Sequence, residues 1–169
     1  MHKKLLYLIL IIVLSNSCVT INSVADSTQN AKYKRVLVVL PSSRHRVPMF
    51  ITNLKVKMEE QLSERSLLVD NLDQVFEDDI KLNTDIKPKI DSAAKSNHDD
   101  LVLHFTIVGY DPSIFTSLTY EIVATDCATK KEVWKADDSF YSFFIGPYWF
   151  NTLNAKKIIL KLQEDGIIQ

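Results

Sequence analysis

Leu101-Val102-Leu103-His104-Phe105-Thr106-Ile107-Val108 is the stretch that decides the fold. In an extended chain Leu101, Leu103, Phe105 and Ile107 share one face, and Val102, His104, Thr106 and Val108 the other. Apolar residues on both faces read as a central strand covered from two sides. Gly109-Tyr110-Asp111-Pro112-Ser113 ends it. An earlier run, Arg35-Val36-Leu37-Val38-Val39-Leu40-Pro41, has the same character: aliphatic, β-branched and stopped by proline.

The stretch from Leu118 to Thr125 alternates instead. Leu118, Tyr120, Ile122 and Ala124 oppose Thr119, Glu121, Val123 and Thr125, which predicts one buried and one wet face. Asp126-Cys127-Ala128-Thr129-Lys130-Lys131 then turns into Glu132-Val133-Trp134-Lys135-Ala136, forming a hairpin. Three amphipathic helices separate or follow these strands. The first starts near Pro48 and buries Ile51, Leu54, Met58 and Leu62; the second runs from Asp85 to Ser96 with Ile86, Ile90, Ala93 and Ala94 inward. The third, Thr152 to Glu164, buries Ala155, Ile158, Ile159 and Leu162 and closes at Gly166. With a short strand over residues 66–70, the expected order is β-α-β-α-β-β-β-α: an α/β fold, a mixed β-sheet with helices packed on it.

The N-terminus reads differently. Lys3 and Lys4 precede ten apolar residues from Leu5 to Leu14, followed by Ser15-Asn16-Ser17-Cys18. Ten helical residues rise about 15 Å, half of a bilayer core of about 30 Å, so the segment predicts a secretory signal rather than a span. Residues 1–17 are expected to be a signal peptide, 18–32 a flexible spacer without periodicity, and 33–169 a single domain.

Leu14-Ser15-Asn16-Ser17-Cys18 resembles the lipobox of bacterial lipoproteins, with Leu14 one place further from the cysteine than usual. That resemblance implies a diacylated Cys18 at the mature N-terminus, and Val19 after it implies sorting to the outer membrane, facing the periplasm. Two or more acyl chains give durable attachment, where one gives marginal binding.

Residues 18–169 carry 18 basic against 21 acidic residues, a mildly acidic balance that argues against a nucleic-acid partner. Lipid on Cys18 leaves Cys127 without an intrachain partner, so no disulfide framework is expected. Cys127 at the hairpin turn reads as incidental rather than nucleophilic. His45, His98 and His104 belong to no zinc motif, and His98-Asp99-Asp100 reads as a polar turn after a helix; no metal or cofactor is expected. No nucleophile elbow or acid–base pair can be nominated, which predicts a non-enzymatic protein.

Two segments are candidate contact sites. Seven of the eleven residues from Phe140 to Phe150 are aromatic, interrupted by Gly146-Pro147. Part of the run must be core. Tyr148, Trp149 and Phe150, after the break and before the helix, are the expected partner contacts, since aromatic rings favour partner surfaces and lipid headgroups. Arg44, His45 and Arg46 precede a helix N-terminus and form a possible anion contact, beside the simpler reading of a solvated loop.

Three segments together carry a wider resemblance: RVLVVLP at 35–41, DDLVLHFTIVGYD at 99–111 and TYEIVATDCATKKEVWKADD at 119–138. The chain resembles small envelope α/β domains, among them curli-secretion, Tol-propeller N-terminal and peptidoglycan-polymerase-activator lipoprotein domains. Thr129-Lys130 and Val133-Trp134 match their long hairpin, with Lys130 where a glycine often follows the threonine. The resemblance implies an outer-membrane-anchored interaction or assembly module with an envelope protein as partner, or a homo-oligomerising secretion subunit. An envelope hydrolase is the third and weakest alternative, for want of site residues.

Overall fold

The computed structural model describes residues 18–26, 33–43, 48–76, 86–111, 115–143 and 147–169. Its strands are β1 (Cys18–Ala25), β2 (Arg35–Ser43), β3 (Leu68–Phe76), β4 (Leu101–Asp111), β5 (Phe115–Asp126) and β6 (Glu132–Phe143). Its helices are α1 (Pro48–Ser63), α2 (Ile86–Asn97) and α3 (Pro147–Glu164). The strands form one six-stranded mixed sheet, ordered β1-β6-β5-β4-β2-β3. β2 pairs in parallel with β3 and β4; the remaining pairs are antiparallel. The α/β class and the packing of helices on a mixed sheet are as the sequence predicts.

Chain handedness explains which helix covers which face. The β2-α1-β3 crossover steps outward along the sheet, and β3-α2-β4 steps back across β2. Right-handed connections in opposite directions put their helices on opposite faces. Leu54, Met58 and Leu62 of α1 accordingly join Ala155, Ile158, Ile159 and Leu162 of α3 over Val36, Val38, Leu101, Leu103 and Phe105. On the other face, among the described residues, Ala93, Ala94, Ile86 and Ile90 of α2 cover a smaller cluster of Leu37, Val39, Val102, Leu72 and Cys127. The second face of β4 is therefore buried at Val102 and open at Val108, which is 57% exposed.

The three described helices end the same way. Ser66, His98 and Gly166 have φ near +60 to +75° (62°, 57° and 74°). The amide after each bonds back to the helix: Leu67 to Leu62, Asp99 to Ala94 and Ile167 to Leu162. These are Schellman caps, which satisfy the terminal carbonyls. His98 is thus a helix stop, as the polar-turn reading expects.

The structure corrects the sequence reading at both ends of the domain. Residues 18–25 are not spacer but an edge strand, paired with β6 in unbroken register from Cys18↔Tyr141 to Ala25↔Trp134. Ser23 faces inward because Asp165 accepts its hydroxyl, a contact that no local pattern reveals. Residues 27–32 lie outside the described residues. β6 also runs to Phe143 rather than stopping at Ala136, and α3 starts at Pro147 rather than Thr152. Proline suits a first helical position, where its missing N–H costs nothing.

Candidate functional site

Strand direction decides what gathers at each end of the sheet. β2, β3, β4 and β6 run one way, β5 and β1 the other. The end where β2, β3, β4 and β6 finish is therefore also where β1 begins at Cys18. α3 starts from this end four residues after β6, and the segment bearing Arg44, His45 and Arg46 joins Ser43 of β2 to Pro48 of α1. Every candidate contact residue is thus attached to one end of the sheet. Tyr148, Trp149 and Phe150 form the first turn of α3 rather than a loop. Their side chains, that of Cys18, and residues 44–46 lie outside the described residues. Phe140, the first ring of the aromatic run, is core, only 1% exposed.

At the opposite end a depression of about 790 Å³ is lined by Tyr33, Asp91, His98, Asp99, Asp126, Cys127 and neighbouring residues. Its acidic groups are engaged in holding turns. Asp126 accepts Thr129 N–H at 2.6 Å and Thr129 Oγ1 at 2.8 Å, and its other oxygen accepts the Tyr33 hydroxyl at 3.1 Å. Burial works against the Asp126 carboxylate, but these bonds and an Ala128 amide outweigh it and hold its pKa below the ordinary value. Asp100 Oδ2 accepts the backbone amides of Lys34 and Arg35 at 2.9 and 3.0 Å, pinning the start of β2.

Asp99 is different: it is buried, and neither carboxylate oxygen has a hydrogen-bond partner. Burial, then the negative charge of Asp70, pushes its pKa up to about 6, while Arg35 and Asn97 pull it back. Arg35 itself pairs with Asp70 at 2.9 Å. Burial also pushes the Cys127 thiol up to about 11, against the pull of Lys130. A thiol at neutral pH is a poor nucleophile, and Cys127 packs against the small core under α2. His104 is held below its ordinary pKa by burial, with Glu121 opposing. Among the described residues no group of three His, Cys, Asp or Glu is arranged to hold a metal ion, and no helix is long and apolar enough to cross a membrane.

One polar cluster was not visible in the sequence. Asp138, Asn154 and Tyr120 are each completely buried, and the Asp138 and Asn154 side-chain oxygens, the Asn154 amide nitrogen and the Tyr120 hydroxyl all lack hydrogen-bond partners. Asp138 stands directly across from Tyr120 on β5 and from Ile21 on β1. Burial pushes its pKa up to about 7; Asn154 and Lys157 on α3 moderate the shift without completing a hydrogen bond to it. Inward Asp138 interrupts the alternation that would otherwise have announced a long β6.

No family model matches this chain, and no curated protein matches it in sequence. Solved structures share its fold. A PelC dodecamer from Paraburkholderia phytofirmans, carrying a leucine-to-methionine substitution, superposes at TM-score 0.58 and 14% identity, covering 86% of this chain and 99% of that chain. A second PelC dodecamer from the same organism gives 0.58 and 14%, covering 84% and 96%. Lipoprotein GNA1162 from Neisseria meningitidis gives 0.48 and 16%, covering 77% and 96%. At the identities of the two PelC chains the likeness is one of fold.

Proposed function

We propose that this protein is a non-enzymatic envelope lipoprotein, anchored through acylated Cys18 in the outer membrane and acting by assembly. The observation that carries the reading is the gathering at one end of the sheet: β1 begins at Cys18, and the segments bearing Arg44–Arg46 and Tyr148–Phe150 attach beside it. Acyl chains, basic residues and aromatic rings are the three chemistries that hold a protein to a membrane surface. That end faces the bilayer. The opposite end and the two sheet edges face an envelope partner.

Self-assembly is the form of partnership favoured here, because the fold covers nearly the whole of a PelC chain whose crystals contain dodecamers. The alternative within the same reading is a monomeric adaptor for a different envelope protein.

Mass analysis of the mature chain tests the anchor. Cleavage before Cys18 with acyl chains on that residue is expected, with loss of membrane retention in Cys18→Ser; an unmodified Cys18 overturns the anchor. Mass determination of the membrane-extracted protein tests assembly: a ring-sized species supports it, and a monomer at all concentrations leaves the adaptor. Crosslinking in cells then compares the native chain with Trp149→Ala. Unchanged capture is expected where that turn faces the bilayer; loss of a captured protein while folding persists makes the aromatic turn the partner contact instead.

A further inference from the structure

The row Ile21–Asp138–Tyr120 crosses three adjacent strands on the face covered by α3, where Asn154 closes it from above. Burying polar groups without partners is costly, and far more so for a charge. A neutral carboxyl gives this row an extra O–H donor; an ionised one only accepts and must be hydrated. The walls differ in strength. Tyr120, Phe140 and Ala136 around Asp138 are at most 1% exposed, and Asn154 is wholly buried. β1, by contrast, is an edge strand with every described side chain partly or fully exposed. Beyond its pairing with β6 it is held, among the described residues, by partial burial of Val19, Ile21 and Ala25 against the main core and by two polar contacts, Lys157 Nζ to the Val19 carbonyl at 3.0 Å and Ser23 to Asp165. The least costly route for water to Asp138 is to lift β1.

We propose that Asp138, with Tyr120 and Asn154, is a pH-sensitive latch under β1: the neutral carboxyl keeps the strand seated, and the ionised one releases it. The groups facing Asp138 leave it as the one that switches. From β5 comes Tyr120, whose hydroxyl burial and Asp138 hold protonated. From α3 come neutral Asn154 and cationic Lys157. The described side chains of β1, residues 19–25, contain no titratable group. At the far end of β1, Asp165 is held below its ordinary pKa and stays ionised throughout the window.

The carboxyl is raised from 3.8 to about 7 when buried. Opening is therefore unaided below pH 4, grows by up to about tenfold per unit between pH 4 and 7, and levels off above. What release does to an anchored body rests on the reading above. A freed β1 is an eight-residue leash, reaching roughly 26 Å at about 3.3 Å per residue. The latch itself does not depend on lipid.

The test is amide hydrogen exchange of the full chain in detergent between pH 5 and 8, corrected for intrinsic rates. Protection of residues 19–25 is expected to fall at least tenfold from pH 5 to 7 in the native protein and to stay constant in Asp138→Asn. Asp99→Asn is expected to behave as native at β1, separating the latch from the other raised carboxyl. Equal pH dependence in native and Asp138→Asn, or loss of protection in β4 and β5 together with β1, overturns the proposal. Should Asp138→Asn fail to fold, carbon-13 titration of Asp138 in the native chain decides: a midpoint near 7, with β1 amide shifts following it, supports the latch, and a midpoint below 5 overturns it. Neither readout requires acylation, so its failure leaves the anchor standing and loss of the anchor leaves it intact.

Discussion

The Trp134 indole nitrogen donates to Asp165 at 2.7 Å, joining the return strand of the hairpin to the turn that ends α3. Lys161 Nζ bonds the other oxygen at 2.9 Å, and Ser23 adds β1 to the same carboxylate. Burial opposes this charge, and the bonds from Ser23, Trp134 and Lys161 more than offset it. Asp165→Ala is expected to cost about 2–3 kcal/mol, as for a charged group bonding buried donors. The depressed pKa gives stability present above the ordinary carboxylate range and lost as pH falls through it. The urea midpoints of native and variant should therefore converge towards pH 3; a constant gap would refute the linkage.

Lys130 sits at φ 59°, in the left-handed region that favours glycine. A left-handed non-glycine residue costs about 1 kcal/mol. Its ion pair with Asp91 joins two side chains about half exposed and contributes little. Lys130→Gly should stabilise by about 0.5–1 kcal/mol, read as a raised urea midpoint at unchanged slope. A lowered midpoint would mean that the ion pair outweighs the backbone strain.

Asp99, pushed up to about 6, holds a proton in the folded state that the unfolded chain has lost. Stability therefore declines as pH rises from about 4 to 6 and is flat above. Asp99→Asn should gain melting temperature over the native protein above pH 6 and match it below pH 4. The same gap at every pH would assign the effect to packing instead.

Cys127 should react slowly. With its thiol at about 11, thiolate is on the order of 0.01% at pH 7. Iodoacetamide modification, measured in Cys18→Ser, should be far slower than for a free cysteine and keep rising past pH 9. A plateau near pH 8 would contradict the buried setting.

Two substitutions on one strand compare its covered and open faces. Leu103, fully buried between α1, α3 and the sheet, should cost about 2–5 kcal/mol as alanine. Val108→Ala, at 57% exposure, should cost under about 0.5 kcal/mol. Denaturant unfolding measures both, and equal losses would mean that the open face is covered in solution.

Elements whose buried residues follow a simple period were legible. The β5 alternation holds through Leu118, Tyr120, Ile122 and Ala124, all at most 1% exposed. The α2 boundaries, Ile86–Asn97 against 85–96, shift by one residue. What failed were elements that bury polar groups or expose apolar ones. β1 packs Val19, Ile21 and Ala25 inward, but it also turns Ser23 inward to Asp165 and leaves Val24 77% exposed, which blurs the alternation. β6 buries Asp138, so charge masked its length. The shared end of Cys18, residues 44–46 and residues 148–150 depends on strand direction, which local sequence does not encode.

The register between Cys18 and Tyr141 has a consequence for how the molecule is made. The first described strand pairs with the last, so β1 waits with its backbone groups unpaired until β6 is in place. Long-range closure of this kind slows folding and leaves sticky intermediates. The unfolded chain is most vulnerable to misassociation, and most in need of a holding chaperone, until residues 18–25 have met residues 134–141.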